Sequence, residues 1–364
     1  MNDSHGMEDV RRLTLFVTGG TGLVGSHVVE SAVSKNHHVK ALVRQGSDTR
    51  LLERWGVELI RGDLENAEAL REGCRGADVV VNAAAKVGDW GPLDEFRRLN
   101  VHALKFLLDA AVEEKVKRFV HVSSLGVYEG RDHFGTDETV PPAIHALDGY
   151  TRSKIEAEDL VMSYVKEKGL AATVVRPGFI YGERDRTVIP KLLKALRDGK
   201  FWYLGSGEQA LNCVYVKNLV HAIERAAEVP EAVGEIFNIT DGQPVSKKRF
   251  VTKVAELAGI TPPRRKLPRR LAYLAAVLLE SRAKRLGLTD PPLINKARYK
   301  FLGLHLDFSI AKAQRILGYR PPYDFDLAMT ATMNDLAPKP APENGAQSQT
   351  QVTANPAVPA ATAP

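Results

Sequence analysis

Short β-branched segments alternate with helical patterns along the first half of the chain. A parallel sheet requires this alternation, because two parallel strands are joined by a crossover connection that is usually a helix. One helical pattern runs from 94 to 115. We therefore predict an α/β fold with a doubly wound parallel sheet over residues 13–180. The strand-like segments are 13–19, 38–44, 57–63, 78–85, 118–124 and 171–178.

The regular alternation ends near residue 181. Shorter helical and strand-like segments follow, so residues 181–335 are predicted to form a smaller C-terminal substrate lobe, from which 214–240 returns to the first domain. Residues 1–12 are polar and are expected to be flexible. Residues 336–364 contain six prolines and no aromatic residue. Such a segment cannot bury enough apolar surface to fold, so it is predicted to be a disordered tail.

Cysteine content and hydropathy exclude several classes of protein. Cys74 and Cys213 are too few for a disulfide framework or a cysteine-based zinc site. The N-terminus lacks a long apolar run, and no segment reaches the roughly 18 apolar residues of a membrane span, so we expect neither a signal peptide nor a transmembrane helix. No His, Asp or Glu cluster has metal-ligand spacing, and no metal is predicted. These features indicate a cytoplasmic protein.

Positive charge is concentrated in one segment of the chain. The net charge is +6, and residues 264–300 hold eleven Lys or Arg against two acidic residues. A local basic patch favours an anionic surface or substrate over nucleic acid. Within 264–286, nine apolar residues lie between basic clusters. This pattern is typical either of a helix packed on the substrate lobe with snorkelling arginines, or of a helix in peripheral contact with anionic lipid.

Three glycines mark the turn between the first strand and the first helix. Gly19, Gly22 and Gly25 surround Leu23 and Val24 in the sequence TGGTGLVG. Glycine permits a tight turn and lets backbone N–H groups approach a pyrophosphate at a helix N-terminus. The spacing differs from G-x-G-x-x-G, but its position after the first strand predicts a dinucleotide-binding domain of the Rossmann type.

The end of the second strand indicates which dinucleotide is bound. An acidic residue there would bond the ribose 2′-hydroxyl of NAD, whereas arginine suits the 2′-phosphate of NADP. Val43 stands where the acid is expected, and Arg44 follows it. We therefore predict NADP(H) in preference to NAD(H), the alternative for Arg44 being a solvated strand end. Asp63, after the third strand, is placed to meet the adenine amino group.

Six motifs together resemble the extended short-chain dehydrogenase/reductases, a superfamily that includes NAD-dependent epimerases and dehydratases. The motifs are TGGTGLVG (18–25), GDL (62–64), NAAA (82–85), SS (123–124), YTRSK (150–154) and RPGFIYG (176–182). Within the superfamily the chain is most similar to the 3β-hydroxysteroid dehydrogenase group, which includes sterol-4α-carboxylate 3-dehydrogenases and 2-alkyl-3-oxoalkanoate reductases. That likeness is carried by 81–91, 150–161, 213–223 and 237–250, with GYRP at 318–321.

The resemblance implies a catalytic set of Ser124, Tyr150 and Lys154. Tyr150 would be the general acid/base, with Lys154 one helical turn away to stabilise its phenolate and Ser124 to orient the substrate oxygen. Asn100 would be structural or part of a proton relay. Where many relatives carry an aspartate, this chain has Lys217. The implied cofactor contacts are Gly19, Gly22, Leu23, Val24, Gly25, Arg44, Asp63, Leu64, Ala83, Ala84, Ala85, Ser123, Tyr150, Lys154, Pro177 and Gly178.

The expected substrate is a small hydrophobic molecule. Lys86, Trp90 and Tyr203 are predicted to line its pocket near the nicotinamide. The resemblance implies an NAD(P)-dependent oxidoreductase that interconverts a secondary hydroxyl and a ketone on a 3β-hydroxysteroid, sterol-like or 3-keto acid substrate. It is also compatible with a homodimer, which is common among relatives.

Two alternatives remain at this stage. One is a nucleotide-sugar epimerase or reductase, for which Arg186 and Arg225 could bind the pyrophosphate. The other is a non-catalytic NADP-binding sensor. Such sensors typically lose the catalytic tyrosine, so the intact pair of Tyr150 and Lys154 counts against this alternative.

Overall fold

The computed structural model describes residues 12–145 and 148–337. The predicted flexible N-terminus and disordered tail therefore lie almost entirely outside the described residues. Within these ranges the strands are β1 (Thr14–Thr18), β2 (His38–Val43), β3 (Glu58–Arg61), β4 (Val79–Asn82), β5 (Arg118–Val122), β6 (His133–Thr136), β7 (Ala172–Pro177), β8 (Phe179–Tyr181), β9 (Tyr203–Leu204), β10 (Cys213–Tyr215), β11 (Ile236–Ile239), β12 (Lys266–Leu267) and β13 (Leu306–Phe308).

Seven of these strands form one parallel sheet in the order β11-β7-β5-β4-β1-β2-β3. The first strand lies near the middle, and the strand order reverses beside it, as in doubly wound folds. Val, Ile, Leu and Phe dominate these strands because both faces of the sheet are buried. The predicted α/β class and parallel sheet are confirmed.

Helices cover both faces of the sheet, and they include a 3₁₀ turn at Leu125–Val127 and another at Pro230–Ala232. The α-helices are α1 (Leu23–Ser34), α2 (Arg50–Arg54), α3 (Ala67–Cys74), α4 (Leu93–Arg97), α5 (Ala103–Glu113), α6 (Gly149–Lys168), α7 (Val188–Arg197), α8 (Val216–Glu228), α9 (Lys247–Leu257), α10 (Arg269–Arg285), α11 (Lys296–Gly303), α12 (Ala311–Leu317) and α13 (Phe325–Leu336).

Two apolar cores hold the helices against the sheet. One contains buried residues of α1 and α8, and the other contains buried residues of α3, α5 and α6. Helix α8 and strand β11 belong to the second half of the chain but pack against this sheet. Strand β10 does not join the central sheet, and pairs with β8 instead.

The second lobe covers the sheet edge where the strands end. Its core is formed by α7, α9, α13 and strands β8 to β10. Two further parallel pairs join distant segments: β9 with β12 lies within the second lobe, and β6 with β13 brings a late segment of the chain against the first domain. In the described part of the chain, no helix is long and apolar enough to cross a bilayer.

The helix predicted over 94–115 is interrupted. A π-helical turn at Arg98–His102 separates α4 from α5. Such turns are rare, occur mostly as single-turn insertions inside α-helices, and are frequent at functional sites. Here the turn places Asn100, which is buried, against Ser153 of α6.

Candidate active site

The glycine loop forms an open cradle at the N-terminus of α1. Gly22 donates its N–H to the Gly19 carbonyl at 2.9 Å, which closes the turn. Gly22 is also the N-cap, and no side chain of the described residues caps the helix. The N–H groups of residues 23–25 therefore face outward with the positive end of the helix dipole. A pyrophosphate fits this arrangement without any added cation.

Close backbone approach explains why the cradle is built from glycine. A Cβ on Gly25 would lie 2.2 Å from the Gly19 carbonyl oxygen. Gly19 has a φ of +73°, and a Cβ there would lie 2.9 Å from the Ala84 nitrogen. The loop is thus pressed against the chain that follows β4, where Ala83 and Ala85 also have small, partly buried side chains.

The ends of β1, β4 and β5 are tied together below the cradle. The Thr18 hydroxyl donates to the Asn82 side-chain oxygen at 2.6 Å, and the Asn82 amide lies 3.0 Å from Nδ1 of His121. The Ala84 N–H donates to the Thr18 hydroxyl. Leu64, which follows β3, lies in the same region and helps to line a small cavity that also borders on Ala84, Ala85 and Lys154.

The adenosine side of the cradle is rich in arginine. Val43 is buried at the end of β2, and Arg44 is exposed beside it. Asp63 is also exposed, and its carboxylate accepts the Glu65 N–H within a turn. A cavity of about 430 Å³ borders on the glycine loop, and its lining includes Arg186 and three further cations that the sequence analysis missed: Arg50, Arg54 and Arg184. Asp48 neutralises one of them by a two-point contact with Arg50.

Tyr150 lies in the first turn of α6, which we call the catalytic helix because it carries Tyr150 and Lys154, the predicted acid/base and its cation. Asp148 caps this helix, accepting the Thr151 N–H at 2.7 Å. Burial raises the pKa of Tyr150 to about 12, a hydrogen bond from Ser124 opposes this rise, and the Asp148 carboxylate adds to it. Ser124 is the second residue after β5 and accepts the Gly126 N–H at 3.0 Å. The predicted acid/base and the serine predicted to orient the substrate oxygen therefore meet at the sheet edge.

Lys154 lies one turn further along α6. Its Nζ donates to the Val122 carbonyl at 2.7 Å, at the end of β5. Burial lowers the pKa of Lys154 to about 8, and the Glu158 carboxylate partly opposes this shift. The ammonium is thus fixed between the catalytic helix and the strand that leads to Ser124.

Asn100 joins the π-helical turn to the catalytic helix. Its Nδ2 donates to the Ser153 hydroxyl at 2.9 Å, and the Ser153 hydroxyl donates to the Tyr150 carbonyl at 2.8 Å. Asn100 also exchanges two hydrogen bonds with the backbone of Lys86. The carboxamide therefore fixes the start of α6 relative to the chain after β4.

Ser123 belongs to a buried polar network rather than to the cavity alone. Its hydroxyl donates to the Glu158 carboxylate. Glu158 receives three hydrogen bonds from the Arg176 guanidinium, the shortest at 2.6 Å. Arg176 donates in turn to the Tyr128 hydroxyl, which donates to Asn238. This network supports the strand ends on which the site is built.

A cavity of about 390 Å³ brings the predicted reacting groups together. We call it the catalytic cavity because it holds the predicted acid/base, and its lining includes Ser123, Ser124, Tyr150, Pro177 and Gly178. A Cβ on Gly178 would lie only 1.7 Å from the Asn212 carbonyl oxygen, so the chain can pass here only as glycine. The lining also includes large apolar side chains, those of Phe179, Ile180, Phe301, Leu306 and Phe308.

Lys300 supplies a cation to the wall of this cavity. Its Nζ donates to the carbonyls of Gly126, at 2.8 Å, and Tyr128. Burial lowers the pKa of Lys300 to about 8, while the carboxylates of Asp148 and Glu129 oppose the shift. Sequence reasoning missed Lys300 because it is 150 residues from Tyr150 in the chain. Asp148 could have been recognised as a helix N-cap.

The three predicted substrate residues do not line the catalytic cavity. Lys86 pairs with Glu95 and lies over the Phe96 ring. Trp90 donates its indole N–H to the Leu288 carbonyl at 3.0 Å. Tyr203 is buried in the wall of a second cavity in the substrate lobe.

Other basic residues considered from the sequence also lie away from the catalytic cavity. Arg186 borders on the cavity at the glycine loop. Arg225 is held by the Leu317 carbonyl and Glu228. Lys217 forms an ion pair with Glu183 at 2.7 Å. Among the described residues, no group of His, Cys, Asp or Glu could hold a metal ion.

A dinucleotide cradle, a tyrosine–lysine helix and a substrate lobe over the strand ends are the architecture of the extended short-chain dehydrogenases/reductases, and the protein is an enzyme of this class. The chain belongs to the NAD dependent epimerase/dehydratase family, whose profile matches residues 15–240. The resemblance seen in the sequence is thereby confirmed.

Curated relatives of the chain are reductases and dehydrogenases. It is 34% identical to a 4-hydroxy-2-methyl-3-oxo-4-farnesyl-3,4-dihydroquinoline-1-oxide ketoreductase of Stigmatella aurantiaca, over 84% of this chain and 91% of that protein. It is 31% identical to a 3-beta-hydroxysteroid dehydrogenase of Mycolicibacterium neoaurum, over 86% and 89% of the two chains. It is 27% identical to a 2-alkyl-3-oxoalkanoate reductase of Shewanella oneidensis, over 84% and 81%.

Solved structures share the fold over nearly the whole chain. The structure of gox2253 has a TM-score of 0.76 and 28% identity, covering 90% of this chain and 98% of that one. A UDP-glucuronic acid 4-epimerase from Bacillus cereus, in complex with UDP-glucuronic acid and NAD, has a TM-score of 0.71. It is 20% identical and covers 89% and 99% of the two chains, a likeness that shows the fold alone.

Proposed function

We propose that the protein interconverts a secondary hydroxyl and a ketone on a hydrophobic substrate, with Tyr150 as the acid/base and NADP(H) as the preferred cofactor. The observation that carries this proposal is that Ser124 and Tyr150 line the same cavity as a set of large apolar side chains. The substrate class is a sterol-like 3β-hydroxysteroid or a 3-keto acid.

Proton transfer is the task of the chain's own residues. A bound nicotinamide supplies or accepts the hydride. In the reducing direction, the Tyr150 hydroxyl donates its proton to the substrate oxygen, and Ser124 holds that oxygen by a hydrogen bond. In the protein without substrate, the raised pKa of Tyr150 favours the protonated phenol, which is the proton donor, over the phenolate. Lys154, fixed by the Val122 carbonyl, stabilises the phenolate that remains.

The cavity wall supports a hydrophobic substrate rather than a nucleotide sugar. Most of its exposed lining is apolar, and Phe179, Phe301 and Phe308 contribute to it. Arg186 and Arg225, which a sugar-linked pyrophosphate would need nearby, are not part of this wall. The relatives named as acting on a farnesylated ring compound, a steroid and an alkyl oxoalkanoate support the same substrate class.

Arginines at the adenosine side support the preference for NADP(H). Val43 gives no carboxylate to the ribose 2′-hydroxyl, and Arg44 is exposed at the same strand end. Guanidinium groups bind phosphate by two hydrogen bonds at once. The 2′-phosphate would thus meet positive charge rather than an acid.

We further propose that α10 rests on an anionic membrane surface. Leu271, Leu274 and Leu278 share one helix face and are each at least 54% exposed. The opposite face packs inward through Ala272 and Ala276. Arginines at both ends of the helix provide charge complementary to anionic headgroups. A lipid-derived substrate would be presented at such a surface.

A turnover screen tests the proposed function. It follows the absorbance of the reduced nicotinamide with NADP(H) and NAD(H) against 3-hydroxysteroids, 3-keto acids and nucleotide sugars. We expect turnover with a steroid or keto acid and a preference for NADP(H) that Arg44→Ala reduces at least tenfold. Turnover of a nucleotide sugar alone would contradict the proposal, and an unchanged cofactor ratio in Arg44→Ala would contradict the cofactor preference.

A further inference from the structure

A second cavity, about 140 Å³ in volume, lies beside the catalytic cavity in the substrate lobe. We call it the tail pocket. Its walls are mainly aliphatic and aromatic, and they include Leu192, Phe201, Trp202, Leu211 and Val251. An apolar cavity of about 150 Å³ is large enough to bind benzene and stays dry when it is empty. The tail pocket therefore has the size and lining for an apolar group.

The tail pocket adjoins the catalytic cavity directly. Phe179, Val188 and Phe301 line both cavities. The rings of Phe179 and Phe301 contact each other with centroids 4.7 Å apart. An apolar chain attached to a carbonyl at Tyr150 can thus continue along these side chains into the tail pocket.

The charged group of the tail pocket, Lys247, is directed toward the protein itself. The Nζ of Lys247 donates to the carbonyls of Ala210 and Leu304. Two of its three N–H donors are thereby engaged by the backbone. What the pocket offers a ligand is chiefly apolar surface, with Trp202 half exposed at its rim.

We propose that the tail pocket binds an alkyl or isoprenoid chain carried by the substrate. The inference rests on the proposed function and narrows it. Of the hydrophobic ketones and secondary alcohols that the catalytic cavity could accept, those bearing a long flexible chain on the reacting carbon are the substrates. Rigid ring systems alone leave the tail pocket empty.

Binding of 2-alkanones from 2-butanone to 2-decanone tests this assignment. Isothermal titration calorimetry with the oxidised cofactor bound measures affinity without turnover, and reduction is assayed separately. Each methylene that enters an apolar site strengthens binding roughly fourfold. We expect affinity to rise in this way along the series. Leu192→Phe, which fills the pocket, should reduce the ratio of 2-decanone to 2-butanone affinity at least tenfold.

Leu327→Phe is the matched control, because Leu327 is exposed on α13. It should leave the ratio unchanged, and melting temperatures establish that both variants fold. If Leu192→Phe does not fold, Trp202→Ala at the rim should lower the same ratio. The assignment of the tail pocket would be overturned by equal ratios of 2-decanone to 2-butanone affinity in Leu192→Phe and the control. It would also be overturned by affinity that does not depend on chain length. Chain-dependent binding without reduction of any ketone would leave the pocket intact and refute the proposed function.

Discussion

Lys154 donates a hydrogen bond from Nζ to the Val122 carbonyl at 2.7 Å, which ties the catalytic helix to the strand that ends before Ser124. The contact fixes a cation one turn from Tyr150. Because burial lowers the pKa of Lys154 to about 8, this cation is lost within an accessible range of pH.

The kcat/KM for reduction of a ketone should therefore fall in alkaline solution. Tyr150, whose pKa is about 12, keeps its proton in this range, whereas Lys154 loses its charge above about pH 8. We expect kcat/KM, which reports ionisations of the free enzyme, to be level near pH 7 and to fall above about 8. In Lys154→Arg the rate should be lower but level across this range, since arginine stays charged.

Lys300 is the control for this assignment, because burial lowers its pKa to about 8 as well. If Lys300→Arg removes the alkaline fall and Lys154→Arg does not, the fall belongs to the cavity wall rather than to the catalytic helix.

The glycine loop should tolerate a methyl group at one position and not at another. A Cβ on Gly25 would lie 2.2 Å from the Gly19 carbonyl oxygen, whereas a Cβ on Gly22 would lie 3.2 Å from it. Gly25→Ala must displace the backbone of the cradle. We expect at least a tenfold loss of dinucleotide affinity by calorimetry, and a smaller loss for Gly22→Ala. Equal losses would show that the close approach does not shape the cradle.

The buried pair of Glu158 and Arg176 should be important for stability. Both side chains are 3% exposed, and their shortest contact is 2.6 Å. Glu158→Gln removes the charge that compensates Arg176, so we expect a loss of about 3–5 kcal/mol in the free energy of unfolding. Lys194→Ala breaks an exposed pair with Asp198 and should cost under about 1 kcal/mol by the same denaturant titration. Similar costs for both variants would contradict the role of the buried network.

Membrane contact through α10 should depend on its leucines and on anionic lipid. We expect the protein to sediment with phosphatidylglycerol vesicles and much less with phosphatidylcholine. Leu274→Glu together with Leu278→Glu should weaken binding at least tenfold, because each buried leucine contributes about 1.5–3 kcal/mol. Leu327→Glu on α13 is the exposed control. Vesicle binding that is unchanged in the double variant would exclude the leucine face of α10 as the membrane-contacting surface.

Local sequence patterns were sufficient for the sheet and the glycine loop. Both signals come from residues that are close together in the sequence. These signals are the apolar segments of strand length and the position of Gly19, Gly22 and Gly25 between a strand and a helix. The pair of Tyr150 and Lys154 could be predicted for the same reason, because both residues lie on one helix, four positions apart.

Other parts of the site depend on contacts between distant residues. Lys300 and Phe308 reach the catalytic cavity through α11 and the pairing of β13 with β6, which no local pattern specifies. The π-helical turn is accompanied by contacts of Asn100 with Ser153, 53 residues away. Trp90 was predicted at the pocket but donates to the Leu288 carbonyl, a contact made by a late segment of the chain.

Replacement of the Tyr150 hydroxyl tests the central proposal most directly. Tyr150→Phe retains the ring that contacts Phe96 and removes only the group that exchanges the proton. With a ketone identified in the turnover screen, we expect kcat to fall about 10²- to 10⁴-fold while dinucleotide affinity is retained. A Tyr150→Phe enzyme that turns over at the wild-type rate would contradict the proposed mechanism.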